Sequence, residues 1–162
     1  MATKAVTLKN ENGDTIYPVT DASLVNNIKK DVMTITGDYN DTSFAYNTTI
    51  QLNTLLGSTG SKLTFASSSY GIKIGAGVSK VLVSASVFFS SGAAGYGWLK
   101  VYKNGTFTNL ETIAYTTTNS FGSATLNPVV MSVQENDVIT LFNPENCRIR
   151  GTGSYLTVEV IE

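Results

Sequence analysis

The amino-acid sequence predicts a mainly-β protein, a sandwich or jelly roll preceded by an N-terminal hairpin and one short helix. Three observations predict it. Charged residues make up only 14% of the 162 positions, against about 25% in an average soluble domain. Thr (22), Ser (16), Asn (14) and Gly (14) fill the gap, a composition of strands and turns rather than of long solvated helices. From Asp38 to Glu162 apolar residues recur with a period of two, broken by turn-forming clusters roughly every 8–12 residues. Three regions follow from the pattern: residues 1–20, 21–37 and 38–162.

Residues 5–19 read as a hairpin. Val6 and Leu8 alternate with Thr7 and Lys9, and Asn12-Gly13 supplies a turn with positive φ. Thr15-Ile16-Tyr17 begins the return, and Pro18, which has no N–H to give a ladder, ends it. So small a hairpin buries too little surface to stand alone in water, so it must pack on copies of itself or on a larger partner.

A helix is predicted over residues 22–36, with Asp21 or Thr20 as N-cap and Gly37 just beyond its end. Val25, Ile28, Val32 and Ile35 fall at spacings of 3, 4 and 3, an a/d seam. Such a seam serves a bundle between subunits or lies on its own domain. Strand patterns on both sides leave it little to cover, which favours the bundle.

Beyond Asp38 the candidate strands are 44–50, 62–66, 71–74, 80–89, 97–103, 106–115, 123–133, 138–142 and 154–161. Gly57-Ser58, Gly75-Ala76-Gly77, Asn104-Gly105, Glu135-Asn136-Asp137 and Gly151-Thr152-Gly153 punctuate them as turns. Many short strands with no helical period between them define a sandwich or jelly roll.

Several function classes are excluded or weakened by residue chemistry. A net charge of −1 supplies no basic face for nucleic acid and no polybasic patch for membranes. The longest apolar runs, such as Val81-Leu82-Val83, are far short of the roughly 20 residues that insert across a bilayer. Residues 1–20 do not read as a signal peptide, so synthesis and folding in a cytoplasm are expected. There is no histidine, and Cys147 is the only cysteine, which removes His-based triads, intrachain disulfides and cysteine zinc clusters. No cofactor, metal or catalytic residue is expected. The pairs Gly75/Gly77, Gly95/Gly97 and Gly151/Gly153 open no helix after a strand and read as turns or bulges rather than phosphate cradles. Asp38, Asn40 and Asp41, like Asn10, Asn12 and Asp14, lack the glycine and bidentate glutamate of a calcium loop. Among Glu111, Glu135 and Asp137 the last two share one turn, read as a solvated loop rather than a hydrolytic pair.

The order of motifs beyond residue 70 resembles a known family. A glycine-bearing turn leads into a long alternating strand (71–89), and a strand runs into an Asn-Gly hairpin (98–105). A strand, acidic turn, Asp-Val and strand follow (131–141), and the sequence closes on a strand (155–161). Together these resemble a C1q/TNF-like jelly roll over residues 40–162. The resemblance implies an obligate homotrimer without enzymatic activity, presenting loops away from a stalk. The segment 8–25, with Gly13-Asp14-Thr15-Ile16-Tyr17-Pro18-Val19-Thr20, is similar to the N-terminal part of bacteriophage head- and tail-fibre proteins. It implies docking on a capsid or tail protein through Val6, Leu8, Ile16 and Tyr17.

On the strand 97–103, Trp98, Lys100 and Tyr102 share one face while Leu99 and Val101 share the other. Only one face can be core, so Trp98 and Tyr102 join Val25, Ile28, Val32 and Ile35 as expected trimer contacts. Tyr96, Tyr115, Arg148 and Arg150 are the expected receptor contacts, for a host-surface glycan or protein. The arginines also suit salt bridges between subunits. The function expected is that of a non-enzymatic virion protein, a homotrimeric short fibre or knob such as a head fibre, capsid decoration or tail fibre, for host attachment. The alternative is a free-standing lectin-like carbohydrate-binding module.

Overall fold

The computed structural model describes residues 8–9, 15–16, 30–40, 42–44, 47–91, 95–117, 120–145 and 147–162. Strands β1 (Leu8–Lys9) and β2 (Thr15–Ile16) pair antiparallel, Leu8 opposite Ile16. That is the expected hairpin; its Asn12-Gly13 turn, Val6 and Tyr17 lie outside the described residues. Then follow β3 (Val32–Thr36), β4 (Thr42–Phe44), β5 (Thr48–Thr49), β6 (Thr54–Thr59), β7 (Leu63–Ala66), a 3-10 turn at Ser67–Ser69, and β8 (Gly71–Ile74). The longer strands are β9 (Lys80–Ser91), β10 (Gly95–Lys103), β11 (Thr106–Thr116), β12 (Ser120–Ser132), β13 (Val138–Asn143) and β14 (Cys147–Val160).

Two antiparallel six-stranded sheets form the sandwich. Sheet one runs β11-β10-β13-β8-β7, with β5 also beside β13; sheet two runs β12-β9-β14-β3-β6, with β4 also beside β14. The alternation seen in sequence fills the space between them. Val81, Val83, Ala85, Val87 and Phe89 of β9, Leu99 and Val101 of β10, and Ile139 and Leu141 of β13 are buried there. Each fully buried aliphatic or aromatic side chain contributes about 1.5–3 kcal/mol.

The predicted helix is corrected where the structure describes it. Val32–Thr36 is a strand, paired with β14 (Val32 opposite Glu159, Thr36 opposite Tyr155) and with β6. Met33 and Ile35, 4% and 0% exposed, point into the core, whereas Val32, Thr34 and Thr36 take the other face. Val32 and Ile35 therefore sit on opposite faces and form no common seam. Branched Val, Ile and Thr prefer this extended backbone, and the Thr34 and Thr157 hydroxyls bond across the ladder at 2.9 Å. Val25 and Ile28 lie outside the described residues. The sandwich thus begins before Gly37, ahead of the expected boundary at residue 38. Gly37 caps no helix at residue 36; it packs on Gly151, where an added Cβ would lie 2.7 Å from the Gly151 Cα.

Other boundaries also move. The expected strand 44–50 divides into β4 and β5 around Asn47, at φ 57°. Gly57-Ser58 lies within β6, and Gly151-Thr152-Gly153 is a bulge inside β14 rather than a turn before it.

One end of the sandwich, hereafter the base, is tied by polar contacts. The Asp31 carbonyl accepts the Val160 N–H at 2.8 Å, and its carboxylate accepts the N–H groups of Ser61 and Lys62. The Glu162 carbonyl accepts the Ser79 N–H at 2.8 Å. Asn104 and Gly105, both at positive φ, make the tight β10–β11 turn at the same end. Asp137, expected in a solvated loop, is instead 2% exposed. Its carboxylate accepts the Gln134 N–H at 2.9 Å and the Asn104 amide at 2.6 Å, with the Lys103 ammonium 3.5 Å away. The Asn104 side-chain oxygen in turn accepts the Val138 N–H at 2.8 Å. This clasp joins two turns that are distant in sequence.

Burial alone would raise the Asp137 carboxyl pKa; the Gln134 N–H, the Asn104 amide and Lys103 outweigh it and hold the group below the usual aspartate range. The folded state therefore prefers the ionised form. Its stabilisation is complete above the unfolded value of about 3.9 and is lost as pH falls through the lower folded value. Asp137→Asn should cost about 1–3 kcal/mol in urea denaturation at pH 7, with the gap to the parent narrowing below about pH 4. Ile35→Ala should cost about 2–5 kcal/mol in the same assay and leave the mass in solution unchanged, because Ile35 is core and not a subunit seam.

Candidate functional site

The face of sheet one turned away from the core carries an aromatic ladder. With Leu99 and Val101 committed to the interior, alternation along β10 places Tyr96, Trp98, Lys100 and Tyr102 outward. Register with β11 sets Tyr115 opposite Tyr96, Ile113 opposite Trp98, Glu111 opposite Lys100 and Phe107 opposite Tyr102. Tyr96 and Tyr115 are 61% and 59% exposed, their ring centroids 5.2 Å apart and the planes tilted by 58°. At the other end of the ladder Tyr102 stacks on Phe142 of β13 at 4.4 Å and lies 5.8 Å from Phe107. Between the two groups the Lys100 ammonium sits 5.3 Å from the Trp98 ring centroid and 4.8 Å from that of Phe107, and pairs with Glu111 at 3.0 Å.

The expected site residues therefore separate. Tyr96 and Tyr115 come together, and Trp98 and Tyr102 share their face. Arg148 and Arg150 do not join them: they lie on β14 in sheet two, opposite Ser90 and Phe88 of β9. Both groups nevertheless sit toward the same end of the sandwich, the tip, where Gly95 meets Thr116 and Ser120 meets Ser91. Ile113, Phe107 and Phe142 belong to the ladder and escaped sequence reasoning. Alternation along β11 could have singled out Ile113, but Phe142 joins only through the pairing of β10 with β13.

The outer face of sheet two is different in kind. Hydroxyl pairs cross its ladders: Ser86 lies 2.9 Å from Ser123 and 3.1 Å from Thr125, and Thr34 bonds Thr157. Ser86 is only 6% exposed, held between Thr125 on one side and Tyr155 on the other. Apolar groups rim the row, among them Phe88, Phe121 and Val130, at 36%, 59% and 55% exposure.

The candidate chemical groups are otherwise engaged. Glu111 pairs with Lys100 on sheet one, Asp137 is locked in the base clasp, and Glu135 is exposed in the turn beside it. Asp38 is held by Asn53, whose amide donates to its carboxylate at 2.6 Å. Cys147 is half-buried; burial pushes its thiol up to about 12, against the Asn143 side chain, so it carries almost no thiolate near neutral pH. Among the described residues no three His, Cys, Asp or Glu gather as a metal cluster, and no helix is long and apolar enough to cross a membrane.

No protein-family model matches the chain, and no curated protein sequence matches it. Solved structures do. Murine APRIL at pH 5.0 superposes with a TM-score of 0.62 at 15% identity, over 82% of this chain and 100% of that one. Eiger TNF from S. frugiperda gives 0.66 at 7% identity, over 83% and 94%. Pika GITRL gives 0.52 at 11% identity, over 83% and 97%. At such identities the likeness shows the fold alone, and the fold is a C1q/TNF-like jelly roll.

Proposed function

We propose that the chain is a non-enzymatic structural protein of a bacteriophage virion, a homotrimeric short fibre or knob on the head or tail. The hairpin of residues 1–20 docks on a capsid or tail protein through Val6, Leu8, Ile16 and Tyr17, and the jelly roll faces the host. The observation that carries this reading is the polarity of the sandwich. The chain enters at the base beside Asp31, and Val160 and Glu162 close the same end. The exposed Tyr96 and Tyr115 lie toward the opposite end. A particle held through the N-terminal segment then presents the tip outward.

Support for the trimer comes from the outer face of sheet two, where hydroxyls that already pair with one another lie among Phe88, Phe121 and Val130. Trimers are what the C1q/TNF-like resemblance implies. In this arrangement Trp98 and Tyr102, on sheet one, face away from the subunit contact, and Arg148 and Arg150 fall at its rim. A second reading, a free-standing lectin-like module, is favoured by the exposed Tyr96–Tyr115 pair.

Light scattering on the full chain and on a chain lacking residues 1–20 separates the two. The expected result is a trimer mass for both, with the shortened chain no longer joining particles. Unchanged incorporation would overturn the docking role, and a monomer in both would move the assignment to the free-standing module.

A further inference from the structure

The tip half of the aromatic ladder has the makings of a ligand platform. Tyr96, Tyr115 and Ile113 are 61%, 59% and 43% exposed, and Trp98 adjoins them on the same face. Rings elsewhere on the ladder are covered by one another, as Tyr102 is by Phe142. The exposed group therefore stands out as aromatic surface open to solvent, its two tyrosine rings set at 58° to one another. Its area is roughly 300–400 Å², about half of the ~800 Å² that each partner contributes to a stable protein interface. That size fits a small flat ligand better than a protein.

The polar surroundings narrow the chemistry. Lys100 and Glu111 pair at 3.0 Å directly beside Trp98 and Ile113, so the patch carries one donor and one acceptor group but no net charge. A ligand that stacks on rings, hydrogen-bonds at its edge and carries no charge satisfies all of this; the pyranose ring of a neutral sugar does so. An acidic ligand would have to compete with Glu111 for Lys100. Arginines suited to anions lie on the other sheet, at Arg148 and Arg150.

We propose that Tyr96, Tyr115 and Trp98 form a platform for the uncharged hexose rings of a surface glycan, with Lys100 and Glu111 bonding hydroxyls at its edge. The inference rests on the host-facing tip of the proposed function and specifies its ligand.

The test is titration of the full-length chain with uncharged oligosaccharides (gluco-oligosaccharides and N-acetylglucosamine oligomers), read by Trp98 fluorescence and calorimetry. Binding is expected, weakened about tenfold by Tyr96→Ala or Tyr115→Ala and restored by the Phe variants, which keep the ring. Arg148→Ala should leave it unchanged. Absence of binding at millimolar sugar, binding indifferent to both alanine variants, or capture only of acidic sugars with loss in Arg148→Ala would each overturn the proposal. Mass measurement on the same samples keeps the two readings apart. Trimers that bind no sugar remove the platform alone, and a sugar-binding monomer removes the fibre alone.

Discussion

The strand on which the rest of the structure depends is the last in the sequence. β14 lies at the centre of sheet two, between β9 on one side and β3 and β4 on the other. Its backbone joins the start of the sandwich to β9 and, through it, to β12. It is also deformed to do so. Register with β9 breaks between Arg150 and Tyr155, and the excess residues form a bulge in which Ser154 donates to the Arg150 carbonyl and accepts the Phe88 N–H. The bulge turns the Thr152 N–H onto the Tyr39 carbonyl at 3.0 Å and sets Gly151 against Gly37 and the Tyr39 ring. Closure of sheet two thus depends on pairing strands more than a hundred residues apart, β3 with β14, a non-local contact of the kind that makes β-sandwiches slow to fold.

Once both sheets close, each strand has one face that must be apolar and one that is at liberty to vary. The interior took Val, Ile and Leu from every central strand, which is why the alternation is so regular. The two outer faces then diverged: rings on sheet one, hydroxyls on sheet two. Thr and Ser suit an extended backbone and pair across ladders without charge. That accounts for the 14% charged fraction. Surface ion pairs such as Lys80 with Glu162 and Lys30 with Glu159 contribute little individually.

Strands 71–74, 80–89 and 97–103 are legible because their alternating aliphatic residues fall on the face that is buried. The segment around Val32 was not. Val25, Ile28, Val32 and Ile35 match a helical seam, yet Val32-Met33-Thr34-Ile35-Thr36 matches an alternating strand equally well, with three β-branched types favouring the strand. What decides between them is a pairing partner more than a hundred residues away at Thr157, which local periodicity cannot see. Asp137 shows the same limit. Glu135-Asn136-Asp137 forms the turn its residues predict, but whether the Asp137 carboxylate faces water depends on Asn104, on a different hairpin. The sequence separates the two faces of β10, Trp98 and Tyr102 on one and Leu99 and Val101 on the other; which rings cover the outward face is set by strand order. Tyr102 is covered by Phe142 because β13 lies beside β10, whereas Tyr96 extends beyond that pairing and meets Tyr115.

The two ends of the sandwich differ in how their geometry is fixed, and the difference bears on function. At the base, Asp31, Asp137 and the Glu162 carbonyl tie turns and chain ends to one another by directed hydrogen bonds. Toward the tip, Tyr96 and Tyr115 project from paired strands rather than from loops, at residues whose neighbours Gly97 and Ala114 are buried. Their positions are therefore inherited from the ladder. A surface built this way loses little conformational freedom when it meets a ligand, because its rings are already ordered by the sheet beneath them. Weak contacts suffice under those conditions if several copies engage together, since each further contact is made at the high effective concentration set by the assembly. In the proposed trimer, a jelly roll with a tied base and strand-borne rings at its tip would suit repeated shallow contacts better than a single deep pocket.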